Sequence, residues 1–198
     1  MPELPAPCRR CRAVESGVGK GVALRRGRAR WSATTAIALG LAACAHTSPP
    51  PPTLSAFAPA LQLASVGSVP YAQLERGQVL LVTFLATWCF PCLGQLPILE
   101  RAQREHASRG FRIVAVGMDL EGAEVLEPFA REYQLPFPLL VADDRIRRGE
   151  TAFGLISSLP ASFLFGRDGR LIAAFAGFAA AAELDQLIAS ALEQSLPR

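Results

Sequence analysis

The residues best suited to do chemistry are two cysteines in Trp88-Cys89-Phe90-Pro91-Cys92, placed between an apolar run, Val79–Leu85, and a helical pattern. Such a pair at a strand-to-helix junction is a dithiol redox site. A helix N-terminus offers unpaired backbone N–H groups and the positive end of the helix dipole, and both favour thiolate over thiol. Cys89 is therefore the candidate nucleophile. A spacing of two intervening residues puts Cys92 one turn further in, close enough to close a small disulfide and expel a partner from a mixed disulfide. Cys92 is the candidate resolving thiol.

These thiols need a rigid frame. Val79 to Leu85 is continuous, apolar and rich in strand formers, as in a strand buried on both faces, and the helix after it is expected from Pro91 to about Arg109. Pro91 suits the first turn, where a missing N–H costs nothing, and Pro97 should kink the helix. Leu96, Leu99, Ala102 and Gln103 share one side, while Glu100, Arg101, Arg104 and Glu105 face solvent. Further on, strands are expected at Phe111–Met118 and Phe137–Val141 and helices at Ala123–Tyr133 and Asp144–Phe153, an alternation that implies parallel pairing. Ala161–Phe165, the turn Gly166-Arg167-Asp168-Gly169 and Leu171–Phe175 read as an antiparallel hairpin, and Ala180–Leu192 as a closing amphipathic helix. Ahead of the motif, Leu61–Ala64 reads as a short strand and Tyr71–Leu74 as a turn.

The N-terminal 43 residues read as a targeting segment. Arg25, Arg26, Arg28 and Arg30 precede an apolar stretch from Trp31 to Ala43 that is too short to span a membrane stably. Leu41-Ala42-Ala43-Cys44 resembles a bacterial lipobox, which implies that Cys44 becomes the lipid-modified first residue of the mature protein; an ordinary secretory signal or an uncleaved anchor are the alternatives. The basic region before the apolar stretch is long, and a start at Val22 would give a more typical leader. Residues 44–59, which include Pro49 to Pro52, read as an extended tether, and residues 60–196 as one domain, with the folded part beginning near Leu54 or Ala60.

Charge follows the same division. Residues 1–43 hold eight Lys and Arg against two acids, whereas residues 44–198 hold twelve Arg against fifteen acids. With a net charge of −3 the expected domain offers nucleic acid no electrostatic support. Of the five cysteines, Cys8 and Cys11 fall in the leader and Cys44 at its end. The domain is left with a catalytic pair in an oxidising compartment, not a disulfide scaffold.

The order of elements, Trp-Cys-x-x-Cys after the central strand and Ser158-Leu159-Pro160-Ala161 before a hairpin, resembles the thioredoxin superfamily, and within it the exported TlpA/ResA-like thiol-disulfide oxidoreductases. The strings that carry the likeness are Phe84–Cys92 and Leu159–Arg170. The resemblance implies an α/β thioredoxin fold, a central mixed sheet flanked by helices, with an extra β/α insertion over residues 119–157. It also implies a cis Pro160 facing the disulfide, with the backbone of Leu159 receiving an extended substrate chain. Trp88, Phe90 and Pro91 would complete the substrate-binding surface. Many relatives carry a buried acid beneath the cysteines; the two positions for it hold Thr83 and Gln95 here, neither of which accepts a proton at ordinary pH. Phe90-Pro91 supplies no positive charge between the cysteines, which disfavours the strongly oxidising DsbA type.

The function expected on this basis is disulfide exchange with client proteins, in the reducing direction. The site would lie in the bacterial periplasm, on a membrane through Cys44, with electrons from a membrane carrier of the DsbD/CcdA kind. No cofactor is expected, and no metal. A copper-binding chaperone using both thiolates is the alternative from another class, although Ile156-Ser157-Ser158-Leu159 lacks the histidine such proteins bring. A thiol peroxidase is a third, and needs a single nucleophilic cysteine beside a threonine and an arginine. His106, expected on the exposed end of the first long helix, is assigned no role. Phe153, Phe163, Phe165, Phe175 and Phe178 are expected to fill the core or the hairpin face.

Overall fold

The computed structural model describes residues 51–71 and 77–194. The leader, the Leu41–Cys44 motif, Cys8, Cys11 and His46 lie outside the described residues, as do residues 72–74 of the expected turn. Among the described residues no helix is long and apolar enough to cross a membrane.

One six-stranded mixed sheet organises the domain. Its strands are β1 (Ser65–Val66), β2 (Val79–Leu85), β3 (Phe111–Gly117), β4 (Leu139–Val141), β5 (Ala161–Phe165) and β6 (Leu171–Ala176), in the spatial order β1-β4-β3-β2-β5-β6. Pairs β2/β3 and β3/β4 are parallel, and β1/β4, β2/β5 and β5/β6 antiparallel. All seven residues of β2 are buried, because a strand with neighbours on both edges and helices on both faces meets no water.

Side chains alternate along β2 and serve two cores. Val79, Leu81 and Leu85 pack with α2 (Phe90–His106), α3 (Ala123–Glu132) and α5 (Ala181–Glu193). Leu80, Val82 and Phe84 pack on the other face with α1 (Leu54–Phe57), α4 (Asp144–Arg147) and a group of phenylalanines. In that group Phe153 lies 4.8 Å from Phe57, 5.0 Å from Phe84 and 5.0 Å from Phe163, ring centre to ring centre. Tilted and edge-on contacts of this kind add stabilisation beyond the burial of area.

Several boundaries differ from expectation, each for a local reason. The packed domain begins at the earlier of the two expected starts, near Leu54 and not at residue 60: Leu54 N–H donates to the Gly169 carbonyl, and Phe57 is buried among the phenylalanines. The expected tether therefore ends before α1. Leu61 closes a 3-10 turn, and the strand expected at Leu61–Ala64 lies at Ser65–Val66. β4 starts after Pro138, which has no N–H to give the ladder. The helix expected over Asp144–Phe153 stops at Arg147. Gly149 turns back at φ 72°, where an added Cβ would sit 2.8 Å from Leu155 backbone atoms. Only glycine allows that approach.

The insertion over residues 119–157 holds α3, β4 and α4. At the other end of the sheet Arg167 donates to the carbonyls of Leu192, Gly77 and Arg109 at 3.0, 2.7 and 2.7 Å. One guanidinium thus joins the end of α5, the entry to β2 and the exit from α2.

Candidate active site

Strand β2 delivers the chain to the site and helix α2 receives it. Cys89 is the residue that caps α2: its backbone is extended, and Cys92 N–H points at both the Cys89 carbonyl (2.9 Å) and Cys89 Sγ (3.2 Å). Capping by a sulfur satisfies one of the free N–H groups of the first turn and puts that atom at the positive end of the helix. Pro91 occupies the first turn, as expected.

Cys89 and Cys92 form a disulfide, with S–S 2.04 Å and Cα–Cα 5.2 Å. Both residues are buried, at 5% and 2% exposure, but Cys89 lines an open groove of about 590 Å³ and Cys92 does not. The groove also takes in Trp88, Phe90, Pro91, Met118, Leu120, Ile156, Ser157, Ser158 and Leu159. Trp88 and Phe90 are 71% and 84% exposed. Exposed apolar side chains gathered along one groove are a feature of binding surfaces. Among the described residues the one charged side chain lining the groove is Arg147.

Across the groove the Leu159–Pro160 peptide bond is cis, as the resemblance implied. Pro160 is buried and opens β5, and its carbonyl accepts from Gly177 N–H at 2.7 Å. The structure thus brings Cys89, Trp88, Phe90, Pro91 and Leu159 to one surface, with Cys92 and Pro160 behind it.

Thr83 and Gln95 are each 1% exposed. Gln95 Oε1 accepts from Ala179 N–H at 3.4 Å, and its Nε2 is buried without a partner among the described residues. Neutral groups do occupy the positions of the acid.

A buried acid exists elsewhere, and the sequence reading missed it. Asp119, 1% exposed, follows the end of β3, and its carboxylate accepts from Thr87 N–H (3.1 Å to Oδ1) and Thr87 Oγ1 (2.6 Å). In sequence it is an acid in a loop; only the register Leu85↔Gly117 brings it to the turn before Cys89.

Two expectations are corrected. Phe178 is 54% exposed and lies past the end of β6, so it fills neither the core nor the hairpin face. The His106 side chain is only 13% exposed, lies edge-on to Phe111 with ring centres 6.2 Å apart, and has Nε2 3.7 Å from Asp185 Oδ1. With Glu105 and Asp185 it brings donor atoms within 4.8 Å of one another, at the end of α2 remote from the disulfide. Arg101 already holds Asp185 Oδ2 at 3.0 Å.

Residues 55–174 match the AhpC/TSA family. The chain is 29% identical over 113 residues to the thiol-disulfide oxidoreductase ResA of Bacillus thuringiensis subsp. konkukian, covering 57% of this chain and 63% of the relative. It is 31% identical over 101 residues to the thioredoxin-like protein YneN of Bacillus subtilis, covering 49% and 55%. The chain thus spans less than two thirds of the length of these relatives. In three dimensions it superposes with a TM-score of 0.57 on the thiol:disulfide interchange protein, a thioredoxin family protein, of Chlorobium tepidum, at 25% identity over 75% of this chain and 99% of that one.

Proposed function

We propose, from the premise that this chain belongs to the AhpC/TSA family and has a thioredoxin-like fold, that it is a thiol-disulfide oxidoreductase acting on disulfides of protein clients in the reducing direction. The observation that carries this reading is the Cys89–Cys92 disulfide at the start of α2, opening through Cys89 alone onto a largely apolar groove.

Each turnover moves two electrons. Cys89, as thiolate, attacks one sulfur of the client disulfide; a Cys89–client bond forms, the client S–S bond breaks, and the departing client thiolate takes a proton from water. Cys92 then loses its proton and attacks Cys89 Sγ, which releases the second client thiol and closes the Cys89–Cys92 disulfide. The client is reduced and the dithiol oxidised. The groove would hold the client's extended chain against the Leu159 backbone, with Trp88 and Phe90 covering its apolar side chains.

Electrons would return through a membrane thiol-disulfide carrier of the DsbD/CcdA type. Export to the periplasm and attachment through a lipidated Cys44 rest on the arginine-rich leader and Leu41–Cys44. A thioether-linked diacylglycerol on an N-terminal Cys44, read by mass spectrometry of detergent-extracted protein, is the expected result; a free cysteine there removes the anchor.

The deciding experiment is the redox equilibrium of the protein against dithiothreitol and glutathione buffers, read by Trp88 fluorescence and thiol alkylation. A midpoint near or below about −270 mV supports a reductase, and one near about −120 mV an oxidase. Absence of a reversible Cys89–Cys92 couple would sink the enzyme reading and favour Cu(I) binding by the two thiolates.

A further inference from the structure

We propose that Asp119 is the positioning residue of this redox site: acting through Thr87, its buried carboxylate holds the turn that keeps Cys89 as the cap of α2. The inference rests on the dithiol reading above and deepens it.

The turn has two supports. From within, Cys89 N–H donates to the Ala86 carbonyl at 3.1 Å. From outside, Thr87 gives both its N–H and its hydroxyl to Asp119, at 3.1 Å and 2.6 Å to Oδ1, with Oδ2 also 3.2 Å from the N–H. No other hydrogen-bond donor reaches this carboxylate among the described residues. A buried carboxylate without donors is costly, so Asp119 and Thr87 fix each other's place. Bonds to a charged acceptor are also about twice as strong as neutral ones.

Asp119 is itself anchored. β2 and β3 run parallel and leave the same edge of the sheet, where Met118 N–H donates to the Leu85 carbonyl at 2.8 Å. Arg147 Nη2, from α4, donates to the Asp119 backbone carbonyl at 2.7 Å. Strand β3 and the insertion are thus tied to a turn two residues upstream of the nucleophile. That turn sets where Cys89 starts α2, with its Sγ 3.2 Å from Cys92 N–H. Loosening the turn withdraws a donor that favours the thiolate.

The test is the rate of iodoacetamide alkylation of Cys89 in the fully reduced, full-length protein, followed against pH by mass spectrometry. Thr87→Val keeps the charge of Asp119 and removes the hydroxyl. It is expected to slow alkylation at neutral pH about threefold to tenfold, the equivalent of one hydrogen bond, and to leave the alkaline plateau unchanged. Thr87→Ser is expected to restore the wild-type profile. Asp119→Asn is expected to slow the neutral reaction too, and to add nothing in the Thr87→Val background. An unchanged profile in Thr87→Val with a lowered Tm would reduce the clamp to a structural element. A faster reaction in Asp119→Asn would make Asp119 a nearby negative charge and not a positioning group. If the wild-type protein shows no reversible Cys89–Cys92 couple, the redox reading fails first, and the two failures are told apart.

Discussion

Ser162 Oγ donates a hydrogen bond of 3.1 Å to Thr83 Oγ1, joining the central strand to its antiparallel neighbour where the two residues pair in register. Thr83 lies on the same face of β2 as Leu81 and Leu85, which share a core with Cys89 and Cys92, so this bond lies on the disulfide's side of the sheet. Both hydroxyls are 1% exposed, and each satisfies the other. Neither is a proton acceptor at ordinary pH. Gln95, buried as deeply, is likewise neutral, so none of the three offers a carboxylate on this side of the sheet.

Replacing Gln95 by glutamate restores an acid one helical turn after Cys92. Its Oε1 can keep the Ala179 N–H bond, and the carboxylate can take the Cys92 proton. Stopped-flow resolution of the mixed disulfide is expected to become about tenfold faster or more at neutral pH. The cost is a carboxyl group at a site 1% exposed, expected to lower stability by about 1–3 kcal/mol in urea titrations. An unchanged resolution rate would show that a group other than the acid sets this step.

The two cysteines should fail differently. Cys92→Ser is expected to accumulate a mixed disulfide between Cys89 and the client, visible on non-reducing gels as a band lost with dithiothreitol. Cys89→Ser is expected to form none and to show no exchange above the uncatalysed rate. Mixed disulfides trapped on Cys92 instead would reverse the two roles.

Arg167 is expected to matter for stability and not for the couple. Its replacement by alanine leaves the carbonyls of Leu192, Gly77 and Arg109 without their donor. The expected loss is about 1–3 kcal/mol, read as a drop of roughly 3–10 °C in Tm. Arg167→Lys should lie between, since an ammonium cannot reproduce the planar fork. The redox midpoint should not move.

Asp143 gives stability a small acid-side slope. Partial burial pushes its carboxyl up, but bonds from the N–H of Ile146 and from Arg145, with the charge of Arg145, outweigh that and hold it below its ordinary value. A folded-state value below the unfolded one means a contribution that is full above the unfolded value and lost as pH falls through the folded one. In Asp143→Ala, which removes the cap of α4, the loss is expected to be about 0.5–2 kcal/mol at neutral pH, shrinking as the pH falls below 4. A difference that stays constant down to pH 2 would assign the loss to packing.

What the sequence determined by itself was local. The apolar run Val79–Leu85, Pro91 in the first helical turn and two cysteines three positions apart place a dithiol at a strand-to-helix junction, because neighbours in the chain are neighbours in space at that range. The Gly166–Gly169 turn marked the final hairpin for the same reason, and the likeness of Leu159-Pro160 to a known pattern supplied a cis bond that spacing alone cannot. Helix α4 was overextended, because its end depends on Gly149 meeting Leu155, a contact the residues' own preferences do not contain. The start of the domain stayed open between Leu54 and Ala60, because what decides it is the burial of Phe57 by Phe153 and Phe165, about a hundred residues further on. The sequence leaves His106 exposed because α5, whose Asp185 lies beside it, is also far away along the chain. The Asp119–Thr87 pair was invisible for the most general reason. Thirty-two residues separate its members, and only the parallel register of β2 and β3 decides that an acid in one loop meets the turn before Cys89.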